Sequence, residues 1–147
     1  MKQYAIINAL FGASLLVQAN QSNPAALGLE FQGIRSNYRN STRVRFSLKN
    51  HRKSGQHVVL KLQMLDAGKY MDCMADIYAR TWESVPTPIS LRPSQSKKLV
   101  WRVRAQTANY VPLIGRVYRF MAVNSTKDGF HQSREGIPSS EFRILRD

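Results

Sequence analysis

The chain has 147 residues, 43% of them hydrophobic, and carries 22 Lys and Arg against 9 Asp and Glu, a formal charge of +13 at pH 7. That length and apolar content support one domain with a core of its own and exclude a chain disordered by composition. The charge favours anionic partners without deciding the fold, and a lone cysteine, Cys73, excludes an internal disulfide.

Residues 1–19 read as an export signal. Lys2 supplies a positive start, an apolar run follows from Ala5 to Val17, and Val17-Gln18-Ala19 offers cleavage after Ala19. The run is shorter than the roughly 20 residues of a bilayer span, so no membrane span is expected after its removal. Removal takes away only Lys2 among the cations, so a periplasmic or secreted domain keeps its basic character, and nucleic acid is not expected as its partner. Residues 20–26, with Pro24, form a polar leader, and the domain proper is residues 27–147.

Leu27, Leu29 and Phe31 alternate with Gly28, Glu30 and Gln32 in a first strand that runs toward Ile34; Asn37 to Ser41 reads as a turn. Thr42, Val44, Phe46 and Leu48 then alternate with Arg43, Arg45, Ser47 and Lys49, the two-residue period of a strand with one face in a core and one in water. His51 to Gly55 is a hairpin loop, after which Val58, Leu60, Leu62 and Met64 face inward and His57, Lys61 and Gln63 outward. A turn is expected near Ala67-Gly68 and an edge strand from Ala75 to Trp82, although Tyr70, Met71, Met74, Ile77 and Tyr78 fit a helical spacing as well.

Pro86 and Pro88 break any helix there. Ile89 and Leu91 lead to a second amphipathic strand in which Leu99, Trp101 and Val103 alternate with Lys98, Val100, Arg102 and Arg104. Residues 117–123 are apolar on both parities except for Arg119, as in a central strand; Asn124 to Pro138 is polar and turn-rich, and Phe142 and Ile144 mark a short final strand. About seven short strands without a convincing helix describe an all-β fold, a single immunoglobulin-like antiparallel β-sandwich. Its expected core holds Phe46, Leu48, Leu60, Leu62, Trp101, Val103, Phe120 and Ile144, and the Cys-Trp-Cys hallmark of antibody domains is absent.

In such a sandwich the strand of Arg43 and Arg45 and the strand of Arg102 and Arg104 share a sheet, so with Lys49 and Lys98 they form one cationic surface or, more plainly, a solvated face. As a binding surface it suits an anionic polymer or lipid, with affinity that falls as salt rises. His51, His57 and His131 lack Cys or carboxylate partners at ligand spacing, so no metal or cofactor is expected. There is no G-x-S-x-G motif, no base beside Cys73 and no paired carboxylates, so the chain reads as a binding protein rather than an enzyme. Cys73, Trp101 and Tyr118 suit the core, Trp82 has no clear assignment, and Asn40 to Thr42 and Asn124 to Thr126 are sequons only in a eukaryotic source.

The stretch IRSNYRNSTRVRFSLKN, residues 34–50, resembles the opening of the first domain of periplasmic pilus-assembly chaperones, with Arg35, Tyr38 and an alternating strand ending at Asn50. VPTPISLRPSQSKKLVWRVR, YRFMAV and FRIL resemble successive later strands of that domain. The resemblance implies an immunoglobulin-like domain that binds an envelope or pilus protein by strand addition and holds its C-terminal carboxylate, with Arg35 in the family's Arg position and Arg143 where the family has Lys. It also marks departures. The sequence reaches residue 147 where the family's second domain would begin, so no interdomain cleft is expected; Arg143 offers a planar fork rather than a point charge, and REGIPSSE lacks the apolar alternation of a donated strand.

Overall fold

The structure is a computed structural model that describes residues 27–79, 85–103 and 112–147. The export signal and leader expected over residues 1–26, together with Trp82 and Arg104, lie outside the described residues. No described helix is long and apolar enough to cross a membrane. Ten strands are described: β1 (Leu29–Gln32), β2 (Asn37–Arg39), β3 (Arg43–Asn50), β4 (Gln56–Asp66), β5 (Lys69–Met74), β6 (Ile89–Leu91), β7 (Ser96–Arg102), β8 (Val117–Ser125), β9 (Gln132–Pro138) and β10 (Phe142–Leu145).

They form two sheets. One has the order β1-β3-β7; the other runs β2-β10-β8-β4-β5, with β6 added to β4 and β9 to β8. The pairings are antiparallel except β2 with β10, which is parallel. One sheet of β1, β3 and β7, facing another centred on β8 between β10 and β4, is the immunoglobulin-like arrangement.

Strand alternation builds the core between these layers. β3 buries Val44, Phe46 and Leu48 while its other parity faces outward, and β7 does the same with Leu99 and Trp101. Phe120 of β8 is fully buried and is the meeting point of the two sheets: its ring stacks on Phe46 at 4.9 Å between centroids, lies beside Phe142 at 5.0 Å and meets Trp101 edge-on at 5.5 Å. All eight residues expected in the core are buried.

One polar residue is also at the centre of the fold. Asn50 is 0% exposed, and its side-chain amide donates to the carbonyls of Ser54 (2.9 Å) and Arg92 (3.0 Å) while its oxygen accepts from the Arg52 N–H (2.9 Å) and from Gln56 Nε2 (2.6 Å). It ties the β3–β4 loop to the β6–β7 turn. Asp76, also buried, accepts from the N–H groups of Tyr78 (2.9 Å) and Thr87 (2.6 Å); burial raises its carboxyl above the ordinary value in spite of those donors.

Five sequence expectations change in the structure. His51 to Gly55, read as a hairpin loop, crosses from one sheet to the other, because β3 pairs with β1 and β7 while β4 pairs with β5, β6 and β8. Asn37–Arg39, read as a turn, is strand β2, held by parallel pairing of Asn37, Tyr38 and Arg39 with Arg143, Ile144 and Leu145. The edge strand expected from Ala75 to Trp82 lies earlier, at Lys69–Met74, because Ala67 (φ 49°) and Gly68 (φ 78°) close a two-residue hairpin from β4 straight into β5. Residues 75–79 instead form a turn that seats Ile77 in the core. The polar stretch before Pro138 contains strand β9, which pairs with β8 through a bulge and exposes Gln132 to Glu135. The strand count rises accordingly above seven.

Candidate functional site

After β1, the first described strand, the chain changes sheets, and that change makes the site. β1 pairs with β3 only from Leu29↔Asn50 to Gln32↔Ser47. At Gly33, whose φ of 81° is a left-handed value that suits glycine, the chain leaves β3, and it re-enters the other sheet as β2. The first half of β3, Arg43 to Phe46, therefore pairs on one side with β7 and, among the described residues, with no strand on the other.

A cleft of about 580 Å³ opens where β2 and β3 part. Arg35, Arg39, Arg43 and Arg45 line it, with Asn37, Tyr38, Thr42 and Leu145. No acidic residue lines it. Tyr38 anchors one wall: its ring is buried edge-on against Phe142 at 5.6 Å, and its hydroxyl accepts the Arg35 N–H at 2.8 Å. That bond gives a physical reason for a Tyr three residues after position 35, and because it uses the main-chain N–H it leaves the Arg35 guanidinium out of the contact. Beside the cleft is the β2–β3 turn, where the N–H and Oγ1 of Thr42 donate to the Arg39 carbonyl and where Ser41, outside the lining, holds the Asp147 carboxylate through its N–H and its hydroxyl. Arg39 reaches the Arg146 carbonyl at 3.2 Å.

The cationic sheet face adjoins this cleft. Arg43 stands directly opposite Arg102, Arg45 opposite Val100, Ser47 opposite Lys98 and Lys49 opposite Ser96, all on the outward parity. Like charges placed directly across strands cost on the order of 0.2–1 kcal/mol, so the Arg43–Arg102 pair is a standing electrostatic cost in the absence of an anion. Arg45 also lines a shallower hollow of about 320 Å³ on the face, together with Ser47, Lys98 and Val100. Lys49 differs: it stands opposite Glu30 of β1 and donates to the Ser94 carbonyl at 2.9 Å, so that end of the face is less positive. Arg104 lies outside the described residues.

Arg35 and Arg143 do not line one cleft. Arg143 is exposed on β10 and donates to the Gly115 carbonyl at 2.9 Å. In the sequence Arg39 carries no site signal of its own, because Asn37 to Ser41 has the composition of a turn. The signal was present as Arg35, Arg39, Arg43 and Arg45 within eleven residues, but without the sheet change nothing showed that they converge.

The remaining candidates fall away from the site. His51 pairs with Glu30 at 2.6 Å and His57 contacts Ser90 Oγ at 3.1 Å; among the described residues no group of three His, Cys, Asp or Glu could hold a metal. Trp101 and Tyr118 are core residues, Cys73 is half-buried on β5, and Asn40 is buried in the turn at 3% exposure.

Among solved structures, the chain is similar to one from a chaperone–tip adhesin complex of CFA/I fimbriae biogenesis, with 17% identity and a TM-score of 0.50 over 81% of this chain and 56% of that one. The likeness is one of fold. The class 5 fimbriae chaperone CfaA matches with 16% identity and a TM-score of 0.46, over 81% of this chain and 56% of that one. The alkylpurine DNA glycosylase AlkC of Pseudomonas fluorescens matches with 13% identity and a TM-score of 0.41, over 80% and 30%. The chain thus spans little more than half the length of the fimbrial structures. No protein-family model and no curated protein sequence matches it.

Proposed function

We propose that this chain is an exported, non-catalytic immunoglobulin-like module that binds another envelope protein, in a role akin to fimbrial chaperones, by accepting a strand from its partner. The observation that carries the reading is β9. It pairs with β8 on one side and, among the described residues, with no strand on the other, so that edge is open to an incoming chain, which competes with the Ser133 hydroxyl for the Glu135 carbonyl. β9 continues through Ser139 to Glu141 into β10, whose Leu145 borders the arginine cleft, so an extended partner bonded along β9 runs toward Arg35. We assign to Arg35 the partner's C-terminal carboxylate. Arg143 joins it only by releasing the Gly115 carbonyl.

The exposed residues of β9, Gln132 to Glu135, are polar, so binding draws on main-chain hydrogen bonds and charge rather than on a row of lent apolar side chains. The test is calorimetric titration with a peptide matching the C-terminal strand of a pilin-like subunit, as free acid and as amide. The free acid binds; amidation, Arg35→Ala, or both together each weaken binding by about tenfold, because all three remove the same charge-assisted contact. Glu135→Pro, which removes a main-chain donor from β9, weakens acid and amide alike. Equal affinity of acid and amide for the unaltered protein would refute the assignment of Arg35.

A further inference from the structure

We infer that the cleft between β2 and β3 is a binding site for a ligand carrying two or more phosphate groups. The inference does not rest on strand addition at β9, and a single peptide carboxylate does not account for what the cleft contains. Arg35, Arg39, Arg43 and Arg45 converge on about 580 Å³ with no acidic lining residue. One carboxylate brings a single negative charge to four guanidinium groups, whereas two phosphate monoesters bring about −3 to −4 at neutral pH, which matches the cleft. Each guanidinium is a planar fork suited to two parallel bonds with phosphate oxygens.

The spacing points the same way. Arg43 and Arg45 lie two residues apart on one face of one strand, which separates their Cα atoms by about 6.5 Å, so adjacent phosphates on a compact scaffold can each meet one of them. Arg102, directly opposite Arg43, and Lys98, which shares the neighbouring hollow with Arg45, extend the positive field beyond the mouth. The enclosure also sets a size. A space of this volume admits a phosphorylated sugar or cyclitol and not the width of a folded domain. The ligand chemistry is therefore a compact polyphosphorylated polyol, either free or as the headgroup of a lipid.

The probes are inositol hexakisphosphate in solution and vesicles of a neutral lipid containing phosphatidylinositol bisphosphate, with inorganic phosphate as the single-anion comparison. The variants are Arg43→Ala/Arg45→Ala, both exposed so that folding is retained, and Lys69→Ala/Arg116→Ala, which removes two exposed cations outside the cleft. Circular dichroism verifies the fold of each. At physiological salt, inositol hexakisphosphate binds the unaltered protein and inorganic phosphate does not; the cleft variant binds at least about tenfold more weakly, and the slope of log K against log salt falls by about one per arginine removed.

The control variant binds as the unaltered protein does. Comparable affinity for the soluble probe and for vesicles assigns a free ligand; distinctly tighter vesicle binding assigns a lipid headgroup. The site is refuted if the cleft and control variants lose affinity equally, which indicates only net charge, or if neither probe binds. Both variants keep Arg35, so a failure here is separate from a failure of the acid-against-amide comparison.

Discussion

Asn50 provides the sharpest test of how this domain is held together. Asn50→Ala removes four hydrogen bonds at a residue that is 0% exposed: two donated to the Ser54 and Arg92 carbonyls and two accepted from the Arg52 N–H and Gln56 Nε2. At about 1 kcal/mol net for each, the full loss is about 4 kcal/mol. Arg52, Ser54 and Arg92 belong to exposed turns where water can replace part of what is lost, which brings the expected cost to about 2–4 kcal/mol. At a typical urea slope of about 2 kcal/mol/M, the midpoint of equilibrium unfolding should fall by about 1–2 M with the slope unchanged.

Asn50→Asp is the more discriminating change. It keeps the oxygen that accepts from Arg52 and Gln56 but sets a second, charged oxygen about 3 Å from two carbonyl oxygens. It should cost at least as much as the alanine at neutral pH. The native state then disfavours the charged form, which raises the folded-state pKa of the introduced carboxyl, so stability is regained as pH falls through that value and the protonated acid donates one bond. An alanine loss below about 1 kcal/mol, or an aspartate as stable as the unaltered protein at pH 7, would refute the view of this residue as the staple between the two loops.

Three further outcomes follow from the packing. Phe120→Ala, at the junction of the two sheets, should cost about 3–5 kcal/mol in the same unfolding assay and sharply raise dye binding to exposed apolar surface. Ala67→Asn, at a φ of 49° in the β4–β5 hairpin, should raise stability by about 0.5–1 kcal/mol, read as a higher thermal midpoint. The raised carboxyl of Asp76 is protonated more readily in the native state than in the unfolded chain, so its contribution is full below the ordinary carboxylate value and is lost as pH rises through the raised one. Asp76→Asn carries no such titration, and the stability gap between it and the unaltered protein should narrow over that rise.

The half-buried strands were legible because the sequence states them twice, once in period and once in polarity. β3 and β7 alternate apolar and basic residues over their length, and the structure places them side by side with Arg43 facing Arg102. Strands without that contrast escaped notice. β2 has three residues and owes its extension to β10, more than a hundred positions away, while β9 is polar because only one edge and little of its faces are covered. β5 was displaced because Ala67 is not a residue that announces a left-handed turn.

The cationic face needed only the strand order of the sandwich, which its pattern implied. The arginine cleft needed the departure of the first strand at Gly33, and one glycine at the end of a strand does not disclose which sheet the chain enters next.

That departure leaves Val44 and Phe46 on a stretch of β3 with one flank unpaired among the described residues. Such a flank is a template on which a second copy could add itself, and mutual repulsion between copies through Arg43 and Arg45 guards it. The same side chains therefore oppose edge-to-edge pairing of two copies along this stretch. Anything that cancels their charge, a substitution or a crowded anionic surface, loosens that guard and favours edge-to-edge assembly.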